Sequence, residues 1–472
     1  EIEYDYTVHP KIKARTENGV TGKFFAFKGT KEGNLSKVGG GQWANPYGRN
    51  IEGYTNLDDL KAESREVKWF YKYRLNGTDT EKTTTVGRDT FGEVWYTTKE
   101  DSRWPDPVSH KTTYTVTAVY PTGRFGAESD PTRALKSETT FDYTVVDPVA
   151  KQEYVTTVGN TGPLNEIINA PGKAIKNSNP SVPIPNGPEE ATTTTYRWVS
   201  APGDSTVSTP GIKKEDVTVT LPKGAQTKEN SHEIVPVTIK VRPNLPQIAN
   251  DQVKLQGGLP NRSITVTDVI PGATVALTIG TEIFTKKSTG TSVTFEQSDL
   301  KRVTDTNNGL LPTGDVTVKQ SKEFDNPVTG QKETLESDVR TVAITAETEK
   351  PHVSYKVTID GKEPKKDSKG YYLFYAGDNI KVEFSATDNS GKLKKVTFNQ
   401  GANELTSFFN DTTNTYGSGD VPKIESIVNQ DQTTRGTIAK VKDDLTYNPN
   451  NNWTRQIKAV DPSGNESDTN LA

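Results

Sequence analysis

Residues 382–391 read Val-Glu-Phe-Ser-Ala-Thr-Asp-Asn-Ser-Gly, a run in which apolar and polar side chains alternate before a turn begins at Asp388. Alternation with a period of two is the signal of a half-buried β-strand. In the turn, we expect the Asp388 side chain to accept hydrogen bonds from the backbone and Gly391 to supply a positive φ. Residues 457–466, Ile-Lys-Ala-Val-Asp-Pro-Ser-Gly-Asn-Glu, repeat the pattern around Asp461. The sequence therefore predicts two strands that end in the same Ala-x-Asp turn.

Similar alternation, rich in Thr, Val, Ile and Tyr, recurs along the whole chain, for example at residues 114–120, 217–221 and 264–267. Such composition is typical of strands in antiparallel sheets. Helical periodicity is confined to residues 57–66 and 164–170, each long enough for one or two turns. The chain is therefore predicted to be all-β.

The chain of 472 residues is longer than a single hydrophobic core usually grows. Pro stands beside polar residues just after a strong strand near Pro148, Pro243 and Pro351, which indicates linkers. We therefore expect tandem immunoglobulin-like β-sandwich modules in an elongated array. The predicted domains are residues 1–147, 148–244, 245–349 and 350–472.

The charge balance, 57 Lys and Arg against 61 Asp and Glu, gives a net charge of −4 without a long basic block. Nucleic acid is therefore not an expected partner. No apolar run is long enough to insert into a membrane. The absence of both Cys and Met suits a segment of a longer exported polypeptide, because these residues are the ones most readily oxidised. We expect an extracellular location at the cell surface.

Three stretches carry a family resemblance. Residues 233–241, Glu-Ile-Val-Pro-Val-Thr-Ile-Lys-Val, resemble the closing strand of Rib-like surface repeats, and residues 196–199 and 217–224 suit the same module. Residues 259–275 look like the bacterial immunoglobulin-like modules of giant staphylococcal cell-wall proteins. The order as a whole resembles the non-helical region of the staphylococcal giant extracellular matrix-binding proteins, Gram-positive adhesins; the first domain matches no such module.

The resemblance implies a stalk of repeats, attachment to the cell wall through parts of the parent chain beyond this segment, and binding to a host matrix protein such as fibronectin or to a glycan. In that family, much of the binding is assigned to helical repeats, which this segment lacks. The resemblance therefore indicates the class of surface protein and does not identify its ligand.

Calcium is the one cofactor that the sequence suggests. Asp388 and Asp461 are turn carboxylates, and Asn389 and Asn465 beside them offer amide oxygens. Turns of cadherin-like modules bind Ca²⁺ through oxygen ligands of this kind. Turn capping accounts for the same four residues, so the sequence leaves both interpretations open.

Aromatic residues are concentrated in the first domain, which contains four of the six Trp: Trp43, Trp69, Trp95 and Trp104. Trp69, Trp95, Tyr96, Arg103 and Trp104 form our candidate ligand-binding set, because aromatic and Arg side chains dominate protein interfaces and sugar sites. The alternative is a larger core in a larger domain.

No catalytic motif is present, and the four His are spread along the chain at His9, His110, His232 and His352. We therefore predict that the protein is not an enzyme. A Lys–Asn cross-link between neighbouring strands has no sequence signature, so the sequence neither predicts nor excludes one.

These observations favour an adhesin or a projecting stalk whose first domain binds a host glycoprotein or matrix protein. Two alternatives stay open. One is a purely structural spacer, and the other is a set of accessory β-domains of a secreted glycosidase or peptidase.

Overall fold

The computed structural model gives the fold of most of the chain. It describes residues 11, 13–14, 16–17, 19–28, 51–52, 68–75, 82–86, 109–119, 136–188, 192–222, 232–249, 255–375, 377–399, 409–414, 423–426, 432–441, 455–467 and 469–471.

The first group of strands lies before residue 147. Its members are β1 (Lys13–Ala14), β2 (Thr16–Glu17), β3 (Val20–Thr21), β4 (Lys23–Phe27), β5 (Ile51–Glu52), β6 (Lys68–Leu75), β7 (Lys82–Val86), β8 (His110–Val119) and β9 (Lys136–Val146). The main sheet has the order β4-β9-β8-β6-β7. β4 runs parallel to β9, and the rings of Phe24 and Phe141 pack edge to face with centroids 5.7 Å apart.

The second group follows after a single residue, Asp147. It contains β10 (Pro148–Ala150), β11 (Tyr154–Thr157), α1 (Asn165–Ile168), β12 (Ile175–Asn177), β13 (Thr195–Trp198), α2 (Asp204–Val207), β14 (Gly211–Thr220) and β15 (His232–Arg242). The main sheet has the order β11-β15-β14-β13, with β11 parallel to β15. Its inner face is apolar because alternate residues of β14 and β15, among them Val217, Val219, Val237 and Ile239, are fully buried.

The third group is a sandwich of two sheets. It contains β16 (Gln247–Ile248), β17 (Gln256–Gly257), β18 (Ile264–Thr267), β19 (Thr274–Ile279), β20 (Glu282–Lys287), β21 (Val293–Phe295), α3 (Lys301–Thr304), β22 (Gly314–Asp325), β23 (Lys332–Glu336) and β24 (Arg340–Ala346). One sheet has the order β16-β18-β21 and the other β17-β24-β22-β19-β20, with β23 paired to β22. Ile264, Leu277, Phe295 and Val316 are fully buried between the two sheets.

The fourth group also forms two main sheets. Its strands are β25 (His352–Ile359), β26 (Lys365–Lys366), β27 (Tyr372–Leu373), β28 (Asn379–Thr387), β29 (Lys395–Asn399), β30 (Phe409–Asn414), β31 (Lys423–Ser426), β32 (Gln432–Val441), β33 (Arg455–Val460) and β34 (Thr469–Leu471). The sheets have the orders β25-β28-β32-β30 and β31-β29-β33-β34, and β26 pairs with β27. Strands β28 and β33, which precede the two predicted turns, belong to different sheets.

The chain forms two compact units. One contains Glu1–Arg242 together with Phe324–Leu335, and the other contains Pro243–Glu323 and Glu336–Ala472. The fold is all-β, as the sequence predicts. The finer division into domains at residues 147, 244 and 349 stays a prediction.

The helix predicted within residues 164–170 is present as α1. The other predicted helix, residues 57–66, lies outside the described residues. Among the described helices, none is long and apolar enough to cross a membrane.

Candidate metal centre

Asp388 lies in the turn that follows β28. Its Oδ2 accepts hydrogen bonds from the backbone N–H of Ser390 at 2.9 Å and from Ser390 Oγ at 2.6 Å. The Gly391 N–H donates to the Asp388 carbonyl at 3.0 Å, and Gly391 has a φ of +69°. This is the Asx turn that the sequence predicts. It fixes the direction of the Asp388 carboxylate.

Asp461 holds the equivalent place after β33. Its Oδ1 accepts from the Asn465 backbone N–H at 2.7 Å, and the Gly464 N–H donates to its carbonyl at 3.2 Å. Gly464 has a φ of +95°, and Asp461 is fully buried. The second predicted turn is therefore also confirmed. The two turns follow strands of different sheets, and the structure brings them close together.

Glu347, the first residue after β24, completes the cluster. One carboxylate oxygen from each of Glu347, Asp388 and Asp461 lies within 4.8 Å of the other two. Glu347 is only 2% exposed. Sequence reasoning missed this residue, because it belongs to the connection that precedes Pro351 and is far from both turns along the chain. The one local signal was an acidic residue at the end of a strand just before a predicted linker.

Amide groups surround the carboxylates. Asn465 Nδ2 donates to Glu347 Oε1 and to Asp461 Oδ2, both at 2.8 Å. Asn389 Nδ2 donates to Glu349 Oε2 at 3.0 Å and lies 3.4 Å from Glu347 Oε2, which also accepts from the Glu349 backbone N–H at 2.9 Å. All four residues that the sequence offered for calcium therefore lie around one centre.

The electrostatics of this centre are unfavourable for three bare anions. Burial raises the pKa of Glu347 above its ordinary value, and hydrogen bonding to Asp461 and its negative charge raise that pKa further. Neutral amides offset only part of the cost of burying neighbouring like charges. A bound proton or a cation would remove the repulsion.

A neighbouring loop packs closely against this centre. Gly258, which follows β17, has a φ of +81°, and a Cβ placed on it would collide with Ser463 Oγ in the turn after β33. The same Cβ would lie 3.5 Å from Cγ of Glu347. The absence of a side chain at Gly258 lets the loop approach the turn that carries Asp461.

Most of the aromatic candidate set lies outside the described residues: Trp95, Tyr96, Arg103 and Trp104. Trp69 lies in β6, where its backbone pairs with Ala118 of β8. Whether these side chains form a binding face stays a prediction.

Within the described part of the chain, Glu347, Asp388 and Asp461 are the only group of three potential metal ligands. His232 and His352 begin strands β15 and β25 and are exposed. His110 begins β8, and His9 lies outside the described residues.

No protein-family model and no curated protein sequence matches this chain. Among solved structures, it is similar to the human desmocollin-1 ectodomain, with 11% identity over 98% of this chain and 78% of that chain and a TM-score of 0.15. It is also similar to a tetra-tandem repeat from the extending region of a large adhesion protein, with 11% identity, coverage of 86% and 92%, and a TM-score of 0.20. A variant of BcpA, the major pilin subunit of Bacillus cereus, has 11% identity, coverage of 48% and 67%, and a TM-score of 0.18.

Proposed function

We propose that the chain is a non-enzymatic segment of an extracellular, wall-attached bacterial surface protein, in which β-modules form a stalk and carry adhesion to a host matrix protein or glycan. The observation that supports this proposal best is the carboxylate cluster at Glu347. It lies where the chain leaves the sheet of β24 for the sheet of β25, and is held by turns, as suits a joint between modules. A catalytic carboxylate must be reached by its substrate, whereas Glu347 and Asp461 are almost completely buried.

Adhesion is tested by binding of the chain to immobilised fibronectin or to a glycan array. Binding of the folded chain to either would support an adhesin. Complete absence of binding to both would favour the spacer alternative.

We further propose that Glu347, Asp388 and Asp461 bind Ca²⁺. Calcium takes six to eight oxygen ligands, and the three carboxylates supply the first of them. Asn389 and Asn465 direct Nδ2 toward the carboxylates, so their Oδ1 atoms would reach a cation only after the amides rotate. A cation bound there would neutralise the buried charge and stabilise the connection between β24 and β25.

Thermal unfolding in excess calcium and in EDTA tests the metal directly. We expect a higher Tm in calcium, by the equivalent of about 2.7 kcal/mol at a calcium concentration 100-fold above Kd. Identical melting curves in the two conditions would remove metal from the proposal.

Asp388→Asn separates charge from turn capping, because Asn preserves an Asx turn. In EDTA the substitution should raise Tm, since it removes one of three crowded charges, while the gain on adding calcium should shrink. Asp367→Asn is the matched control. Asp367 caps a turn between β26 and β27, where Oδ1 accepts from the backbone N–H groups of Lys369 at 2.8 Å and Tyr371 at 2.9 Å. Asp367→Asn should leave the increase in Tm on adding calcium unchanged.

A further inference from the structure

In the unit formed by Glu1–Arg242 and Phe324–Leu335, one carboxylate accepts hydrogen bonds from both a lysine amine and an asparagine amide. Glu333, in β23, accepts from Lys240 Nζ of β15 through Oε2 at 2.6 Å. Its other oxygen, Oε1, accepts from Nδ2 of Asn326 at 2.9 Å. Lys240 and Asn326 are 86 positions apart in sequence, so only the fold brings them to the same carboxylate.

The side-chain carbonyl of Asn326 is buried and accepts hydrogen bonds from two backbone N–H groups, an arrangement that favours nucleophilic attack on its carbon. Its residue is 1% exposed, and Oδ1 accepts from the backbone N–H groups of Val328 at 2.9 Å and Thr329 at 3.2 Å. Two backbone donors aimed at a carbonyl oxygen polarise its carbon and stabilise the negative charge that develops there during nucleophilic attack. Asn326 Cγ is therefore a prepared electrophile.

We propose that Lys240 and Asn326 condense to form an isopeptide bond, with Glu333 carrying the protons. This modification would covalently link β15 to the tip of the β22–β23 hairpin. It does not depend on the proposed function or on calcium.

The step balances without any co-reactant. The Lys240 ammonium gives a proton to Glu333, and the neutral Nζ attacks Cγ of Asn326. Glu333 passes its proton to Nδ2, the C–N bond to Nδ2 breaks, and the carbonyl reforms. The second proton of Nζ passes through Glu333 to the departing ammonia. One ammonium ion is released, and Glu333 is regenerated.

The ion pairs set the rate of this reaction. Hydrogen bonds to Glu153 and Glu333 raise the pKa of Lys240 above its ordinary value, so little neutral amine is present near pH 7. Because the fold holds the amine and the amide in one site, their effective concentration is high, and this partly compensates for the small fraction of neutral amine. The cross-link should therefore form slowly at neutral pH and faster as pH rises, because deprotonation of Lys240 is required.

The experiment is intact-mass measurement of the folded chain during incubation at about pH 9, closer to the ordinary lysine pKa of about 10.4. We expect the mass to fall by that of one ammonia. Digestion should then yield a branched peptide that joins the segments containing Lys240 and Asn326. Glu153→Gln, at an exposed position, should accelerate conversion, because it removes one of the two carboxylates that stabilise the Lys240 ammonium.

Two variants control for other routes. Lys240→Arg preserves the positive charge but cannot form this amide, and should retain the full mass. Glu333→Gln should slow conversion about 10²-fold or more, because it removes the proton carrier. Circular dichroism melting would verify that each variant is folded.

Ammonia can also be lost from asparagine when the next backbone nitrogen attacks the side chain. That route is blocked at Asn326 because the next residue is Pro327, which has no N–H. Asn-Gly pairs elsewhere in the chain keep that route open, so the branched peptide decides. Its absence from the folded wild-type chain, or its presence in Lys240→Arg, would overturn the proposal.

Discussion

At the scale of single residues, Gln320 of β22 is a buried polar group that connects two segments of the third group of strands. It is fully buried. Its Nε2 donates to the carbonyls of Asn244 at 2.8 Å and Asp268 at 2.9 Å, and its Oε1 accepts from the Ile270 N–H at 2.9 Å. One amide thus satisfies three backbone groups of two connecting segments.

Gln320→Met tests this role, because Met has a similar length but cannot make these hydrogen bonds. We expect a loss of about 2–4 kcal/mol in the free energy of unfolding, since buried backbone groups would lose their partners. Denaturant titration measures it. Gln331→Met, at an exposed position in the β22–β23 turn, is the control and should cost little. Equal effects of the two substitutions would contradict the assigned role.

Period-two alternation alone directs Gln320 inward, since Val316 and Val318 of the same strand are buried. Its residue type indicates the opposite. The sequence alone could not decide whether Gln320 is buried or exposed, because the backbone groups that make its burial favourable come from other segments of the chain.

At the scale of secondary-structure elements, local patterns predicted strands well. The stretch 264–267 coincides with β18, and the stretches 233–241 and 217–221 fall on β15 and on the end of β14. Their pairing was not predictable. The parallel partnership of β11 with β15 depends on contacts between residues about 85 positions apart, which no local pattern encodes.

The Gly258 loop provides a prediction at this scale. Gly258→Ala should lower the free energy of unfolding by about 1–2 kcal/mol, because the position has a positive φ and Ser463 Oγ must rotate away from the added Cβ. Movement of Ser463, which lies in the turn that carries Asp461, should also reduce the gain in Tm on adding calcium. Thermal unfolding with and without calcium measures both effects.

Gly290→Ala is the matched control, because a Cβ at Gly290 meets no atom within 4 Å. It should leave both quantities nearly unchanged. If Gly258→Ala were equally well tolerated, the close approach of the two loops would not be needed for stability.

At the scale of the whole molecule, the sequence supplied part of the candidate site. Asp388 and Asp461 were found because each lies in a local turn with a readable pattern. Glu347 was not, because it joins them only through tertiary folding. The same holds for Lys240, Asn326 and Glu333.

The location of ligand binding is a prediction for the full chain. We expect residues 149–472 alone to bind fibronectin no better than an unrelated immunoglobulin-like array, because the aromatic set lies in the first domain. Ala replacement of Trp69, Trp95 or Trp104 in the full chain should cost about 2 kcal/mol or more of binding free energy while the fold is retained. Titration of immobilised fibronectin measures both.

Two outcomes would contradict this location. Full binding by residues 149–472 would place the site elsewhere. A loss of about 3–5 kcal/mol of stability on Ala replacement would assign the Trp concerned to a core.

The parallel pairs β4–β9, β11–β15 and β17–β24 have a mechanical consequence. In each pair an early strand of the group lies beside its last strand and runs in the same direction. Tension applied to the two ends of such a group therefore pulls the paired strands in opposite directions along their length. The hydrogen bonds of the ladder are loaded together in shear and cannot open one after another from an end. Each of these groups should resist stretching more strongly than its thermal stability alone would suggest.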